Sequence, residues 1–335
     1  MDVLRSKTIC KSFLTAALLW GAACLFPPST WAGSCCGGGA ATALVLTKNA
    51  QSMIDVSFAL EKYDGFWTKD NVYHSDQPGT DLRQYRLNLG YALRLAPRWQ
   101  TSVMVPYIWN NNQYSGTSSR SEGMGDATFT LWYEAFDTAM CRLAGDLALE
   151  DLVPAATFGM SLTIPSGVSP YDNVNSSFDI TGRGFYRLDG NVLLDKTLFP
   201  WSASMFLSYG TYIERQVNRE YGEYVQPYHK KLGDRAAGTF SISYVDYIEL
   251  LRSRNIMTYT AALSEVREGE GTIDGDRDVT SGLRTSALAG TIAWSTLDRV
   301  WTIKTTWNHS IKYDGWGNNA PASDIYSLGV THAFQ

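Results

Sequence analysis

The sequence predicts an all-β fold: a single antiparallel, up-and-down transmembrane β-barrel of about 12 strands. Three observations carry this. The composition is polar on average yet rich in aromatics and glycine, with mean hydropathy -0.18, 13% aromatic residues and 29 glycines in 335 residues. Period-2 alternation recurs from residue 51 to the chain end. Tight turns also alternate with long polar connections, as they do in barrels that cross a membrane. The same numbers exclude other classes. A helical membrane bundle needs about 20 apolar residues per span, and no such run follows the first thirty residues. The aromatic content excludes intrinsic disorder. A net charge of -5 leaves no basic surface for nucleic acid.

The N-terminus reads as an address. Arg5, Lys7 and Lys11 precede the apolar stretch from Phe13 to Phe26, followed by Pro27-Pro28 and the small-residue site ending at Ala32. This is the layout of a secretory signal over residues 1–32, with an apolar stretch too short for an anchor. A lipidation site at Cys35 or Cys24 is the rival reading. Residues 33–50 then form a Gly/Cys-rich periplasmic segment, and 51–335 the barrel. Cys10 and Cys24 leave with the signal, so Cys35, Cys36 and Cys141 remain, an odd number that makes no disulfide framework.

The strands follow in order. Ile54, Val56, Phe58 and Leu60 alternate with Asp55, Ser57 and Ala59. Between Gln84 and Leu95, Tyr85, Leu87, Leu89, Tyr91, Leu93 and Leu95 share one face, and Gln84, Arg86, Asn88, Gly90, Ala92 and Arg94 the other. A strand separates these sets; a helix mixes them. Trp99 to Trp109 repeats the pattern, with aromatics at both ends of the apolar row, as interfacial girdles require. Further strands are expected over Gly125–Phe136, Ala156–Ile164, Tyr186–Lys196, Trp201–Ile213, Gly238–Tyr247, Met257–Val266, Ser286–Trp294, Trp301–His309 and Tyr326–Phe334.

Ala96-Pro97-Arg98, Phe199-Pro200 and Thr296–Arg299 read as tight turns. Lys62–Asp81, Asn110–Gly123, Ser166–Gly182, Glu214–Arg235, Arg267–Ser281 and Lys312–Asp324 read as long polar loops. Asp137–Pro154 breaks the rule: it falls where a short turn belongs, and is expected to hold a periplasmic helix or extend the flanking strands. The alternative, a soluble sandwich or lipocalin-like barrel, would carry a charged outer face. Here the polar face is mostly Ser, Thr, Asn, Gly and Ala.

By parity Arg86, Arg94, Asp126, Trp132, Glu134, Arg187, Asp189, Asp195, Phe206 and Lys304 face the lumen and are the candidate selectivity residues. The basic members are offset by the acidic ones, a balance that argues against strong ion selection.

Three motif groups go further. Val105-Pro106-Tyr107 ends one strand and Gly123-Met124-Gly125-Asp126 opens the next. Leu162-Thr163-Ile164-Pro165-Ser166-Gly167 ends the fifth, and Thr181-Gly182-Arg183-Gly184 opens the sixth. In this order they resemble the outer-membrane barrel family named for the meta-pathway of phenol degradation, which is similar to the long-chain fatty-acid transporters. The resemblance spans most of 50–335 and implies a porin-like channel for hydrophobic or aromatic molecules. The Asp137–Pro154 insertion and the terminal Gln335 depart from its pattern. Read from the residues alone, Pro106, Tyr107, Gly123, Gly125, Asp126, Pro165 and Gly167 are rim architecture, since Pro suits strand ends or bulges.

Catalytic and metal chemistry was sought in the remaining motifs. His74, His229, His309 and His332 lack a nucleophile and orienting partner, and Ser310 points to the face opposite its neighbour His309. The loop Ile273–Asp278 has alternating aspartates but departs from the EF-hand pattern. The expectation is therefore no enzyme, no cofactor and no metal. It is a Gram-negative outer-membrane channel in contact with lipid and lipopolysaccharide, passing small solutes passively. A structural barrel that holds a periplasmic protein partner is the second reading, and a barrel enzyme the third.

Overall fold

The computed structural model describes residues 44–68, 72–114, 116–136, 141–143, 153–174, 179–250, 253–279, 281–313 and 319–335. Its strands are β1 (Ser52–Thr68), β2 (Tyr73–Ser75), β3 (Asp81–Ala96), β4 (Trp99–Tyr114), β5 (Thr117–Met124), β6 (Ala127–Phe136) and β7 (Cys141–Leu143). Then come β8 (Ala155–Ile164), β9 (Arg187–Phe199), β10 (Trp201–Tyr212), β11 (Arg215–Glu220), β12 (Glu223–Lys231) and β13 (Arg235–Leu250). The last are β14 (Ser253–Glu268), β15 (Gly271–Ile273), β16 (Asp276–Asp278), β17 (Leu283–Thr296), β18 (Trp301–Tyr313) and β19 (Asn319–Phe334).

Twelve of these close a barrel in the order β1-β3-β4-β6-β8-β9-β10-β13-β14-β17-β18-β19. The last strand returns antiparallel to the first, from Ser52 against Phe334 to Thr68 against Asn319. Closure leaves no strand edge, so the wall satisfies its own backbone groups, as a bilayer demands. The expected fold and strand number are both present.

Alternation decides which face each residue takes. On β1, Ile54, Val56 and Phe58 are exposed while Asp55 and Ala59 are buried in the lumen. On β8, Phe158, Met160 and Leu162 point out while Ser161 and Thr163 are buried. Outward side chains stand far from cover: Leu89 is 48% exposed, Met160 61% and Leu328 56%. An apolar band of that kind around the whole barrel far exceeds the few hundred Å² of a soluble protein's patches, and suits hydrocarbon as its solvent. Trp99, Trp201 and Trp301 each begin a strand directly after a tight turn. Each ring meets an aromatic neighbour, at 4.8 Å to Tyr133, 5.1 Å to Tyr244 and 4.2 Å to His332. They form a girdle at the short-turn end.

The opposite end corrects the expected loops. Asn110–Gly123 is largely strand: β4 runs on to Tyr114 and β5 returns beside it. Glu214–Arg235 contains the β11–β12 hairpin, and Arg267–Ser281 contains β15 and β16. The reason is local. In Asn110-Asn111-Asn112-Gln113 both faces are polar, so paired backbone leaves no apolar period to read. Most of Asp137–Pro154 lies outside the described residues, but β7 within it pairs parallel with Thr197–Phe199 of β9. The signal segment and Cys35-Cys36 also lie outside them.

Residues 44–50 form a strap inside the short-turn mouth. Leu46 and Ala50 are buried with the inward Met53, Ala92 and Ala333, and Leu44 packs on this cluster. Polar contacts fix the strap's backbone. Leu46 N donates to Gln100 Oε1 at 2.6 Å, and Arg94 donates to Thr47 O at 3.0 Å and Ala50 O at 3.2 Å.

Candidate functional site

In the lumen, polar and aromatic side chains converge on a wall of fixed register. Its inward residues lie in rows across neighbouring strands. Glu134, Thr157, Leu193 and Phe206 make one row. Trp132, Gly159, Asn191, Ser208 and Ala237 make the next, and Thr130, Ser161, Asp189, Gly210, Arg235 and Glu268 the third. Much of the wall is hydroxyl paired with hydroxyl or amide. Thr130 meets Ser161 at 2.9 Å, Asn191 donates to Ser161 at 2.6 Å, and Ser243 meets Thr260 at 2.7 Å. Such hydroxyls and amides are satisfied within the wall.

The charges that parity places in the lumen are paired partly with one another and partly with carboxylates outside that set. Arg94 pairs with Glu134 at 3.0 Å, and Arg187 with Asp189 at 2.8 Å. Lys304 pairs with Asp55 at 3.0 Å, and Asp55 also accepts from Thr331 at 2.6 Å. Arg86 lies 3.7 Å from Glu61. Asp55 and Glu61 were legible as inward by parity, yet cross-strand pairing was not. Asp195 stands opposite Ser204, apart from these pairs.

Trp132 and Phe206 come together, with ring centroids 6.5 Å apart. The Trp132 ring lies over Gly159, where any Cβ would overlap its six-membered ring. The side chain is 2% exposed, and among the described residues its Nε1 has no hydrogen-bond partner. Leu193, 5% exposed and in register with Phe206, adds to this apolar cluster.

The motif residues converge at the rim rather than in the lumen. Asp126 Oδ1 accepts from Gly167 N at 3.2 Å and Oδ2 from Arg183 N at 2.7 Å. A Cβ on Gly182 would overlap Asp126 Oδ1, so glycine is required for this approach. Ser166 Oγ donates to Gly125 O at 2.7 Å, and Thr181 Oγ1 to Met124 O at 2.7 Å. Gly125 N donates to Pro106 O at 2.8 Å, and a Cβ on Gly125 would crowd the Pro106 ring. Asp126 thus holds two loop ends together. Tyr107, outward, meets the Trp109 ring at a tilt, with centroids 4.8 Å apart. Pro165 and Gly123 complete the turns around this knot; the side chain nearest to a Cβ on Gly123 would be that of Val168, at 3.5 Å.

Beside the rim lies a group the sequence did not disclose. Arg183 Nη1 donates to Glu268 Oε2 at 2.5 Å and to Tyr212 OH at 3.1 Å. Arg187 Nη1 reaches the same hydroxyl at 3.2 Å, and Tyr212 donates to Glu268 at 3.3 Å. The 85 residues between Arg183 and Glu268 hid the pair. The aspartate-bearing loop is a hairpin turn. Asp274, at φ 51, accepts from His229 N at 2.7 Å and ties that hairpin to β12.

No protein-family model matches the chain, and no curated protein matches it in sequence. Solved structures match it by fold. The chain is similar to the COG4313 outer membrane channel from Pseudomonas putida F1, with TM-score 0.64 and 13% identity over 89% of this chain and 100% of that one. The beta domain of the Bordetella autotransporter Brka aligns with TM-score 0.47 and 10% identity, over 85% of this chain and 100% of that one. The chain therefore has the closed 12-stranded fold of outer-membrane barrels.

Proposed function

We propose that this protein is an outer-membrane channel that passes small apolar or aromatic molecules passively, with the short-turn end in the periplasm. The observation that carries the reading is the lumen wall. Its ion pairs link Arg94 to Glu134 and Lys304 to Asp55, its hydroxyls are mutually bonded, and an aromatic pair, Trp132 and Phe206, stands among them. A phosphate or strongly anion-selective pore needs a ring of Lys or Arg facing the path. Here Arg94, Arg187 and Lys304 are each engaged by a carboxylate. The motif resemblance to the meta-pathway family supports the same substrate class.

A structural barrel is the second reading, favoured by the strap of residues 44–50 in the short-turn mouth. Liposome swelling with benzyl alcohol, a disaccharide and phosphate separates these. Faster passage of benzyl alcohol supports the hydrophobic channel. Faster passage of the disaccharide or phosphate leaves a general porin, and no passage of any solute supports the structural barrel.

A further inference from the structure

We propose that the outer wall binds one lipopolysaccharide molecule on the seam between β14 and β17, with a lipid A phosphate on Arg267 and one acyl chain in a groove below it. The outward residues of this seam pair in register as Ala261 with Gly290, Leu263 with Leu288, Glu265 with Ser286 and Arg267 with Arg284. At the first pair the wall is notched. Ala261 and Gly290 stand between Ile242 of β13 and Trp307 of β18, and a Cβ on Gly290 would meet nothing within 4 Å. The open groove measures about 760 Å³, and Tyr259, Ile242, Ile292 and Trp307 line it. At the other end of the seam Arg267 and Arg284 both donate from Nε to Glu265 Oε1, at 2.5 and 2.8 Å. The shared carboxylate holds the two guanidinium groups together and leaves the Arg267 side chain 53% exposed. Among the described residues no hydrogen bond engages the Arg267 Nη groups.

Spacing and charge select the occupant. Ala261 and Arg267 are six residues apart on one strand, about 20 Å at about 3.4 Å per residue. With a barrel strand tilted by about 35–45° this is about 15 Å of depth, half of a hydrocarbon core about 30 Å thick. Arg267 therefore stands at headgroup level when the groove stands at the midplane, and a chain hanging from a phosphate on Arg267 ends in the groove. A guanidinium fork suits phosphate bidentately, which an ammonium does not. The small Ala236 lies beside Arg267 in the same outward row, with Tyr209 beyond it, so a bulky headgroup has room. The arginines are at the long-hairpin end, which puts them in the outer leaflet, where the lipid is a phosphorylated glycolipid. A second copy of the chain fits less well. A two-fold axis along the membrane normal brings the same patch of each subunit together, and hence arginine against arginine.

The site rests on the proposed orientation, with the short-turn end in the periplasm, and not on passage through the lumen, so binding tests it apart from the channel. The full chain folded in detergent micelles would be titrated with lipid A and followed by native mass spectrometry, beside dephosphorylated lipid A, phosphatidylglycerol and inorganic phosphate. One lipid A per barrel is expected to bind saturably, with each of the other three at least tenfold weaker. Arg267→Gln should weaken lipid A at least tenfold, and so should Gly290→Leu, which fills the groove and leaves the arginines. Arg120→Gln, at an exposed arginine of β5 paired with Asn111, should leave binding unchanged. Absence of saturable lipid A binding, equal binding of the dephosphorylated form or of phosphatidylglycerol, or unchanged affinity in a folded Arg267→Gln or Gly290→Leu variant would overturn the site. So would an equal loss in Arg120→Gln, which would make the effect general surface charge. A dimer in sedimentation that lipid A does not disperse and Gly290→Leu breaks would give the groove to a second copy instead. Passage of benzyl alcohol through liposomes without lipid A binding sinks the site alone, and lipid A binding without passage sinks only the channel reading.

Discussion

Replacing Leu89 by arginine tests the assignment of faces on which the rest depends. Leu89 sits in the middle of β3, 48% exposed, opposite Val56 of β1 and Val105 of β4. All three point outward, so the substituted guanidinium would meet hydrocarbon with no partner on either adjacent strand. An arginine at the midplane of a barrel's lipid face costs about 2–4 kcal/mol. At 1.36 kcal/mol per tenfold, that is about 30- to 900-fold in the folding equilibrium. Asn88, one residue earlier, faces the lumen and donates to Ser57 Oγ at 3.2 Å. Asn88→Arg loses about 1 kcal/mol with that bond, and its charge remains in water. Urea titration of folding into lipid vesicles, read by heat-modifiable mobility, should therefore separate the two variants clearly. Equal destabilisation by Leu89→Arg and Asn88→Arg would refute the parity of this strand, and with it the inward assignment of Arg86 and Arg94.

Two further predictions concern the barrel's ends. Gly182→Ala forces a methyl against Asp126 and the Gly167 backbone, and overpacking of this kind costs about 1–3 kcal/mol. Gly290→Ala, where nothing lies within 4 Å, should change stability little. The two variants compared by the same urea titration check that the motif glycines are rim structure. At the short-turn end, hydrogen bonds from Thr296 Oγ1 at 2.5 Å and Val300 N at 3.1 Å hold the Asp298 carboxyl below its ordinary pKa. A depressed folded pKa contributes stability that is present above about pH 4 and lost as pH falls through the folded value. Asp298→Asn should accordingly flatten the acid side of the stability profile, and an unchanged slope between pH 5 and 2 would contradict the role of this carboxyl.

The barrel was legible because its two solvents write opposite halves of each strand. Leu89 and Asn88 differ in chemistry for that reason, and period 2 survives wherever one face meets lipid. Beyond the lipid band that contrast disappears. Asn110 to Gln113 of β4 are polar on both faces, and Val217 is the one apolar residue of Arg215 to Glu220 in β11, so neither stretch shows an apolar period. Parity likewise placed Arg94, Glu134 and Lys304 in the lumen, but it cannot say which inward group on another strand meets them. Lys304 finds Asp55, 249 residues away. The strap was hidden for a different reason. Leu44 and Leu46 follow a run of glycines with no partner nearby in sequence, and their contacts with Met53, Ala92 and Ala333 exist only once the barrel has closed. Asp126 was read as a lumen charge from its parity. Its two backbone donors come from Gly167 and Arg183, residues that sequence order alone had grouped with it as motifs.

Single-channel recording of the purified protein in planar bilayers tests the central claim most directly. The channel reading predicts discrete steps of steady, weakly ion-selective conductance, because Arg94, Arg187 and Lys304 are each held by a carboxylate. Insertion of folded protein without any conductance would contradict it and leave a closed structural barrel.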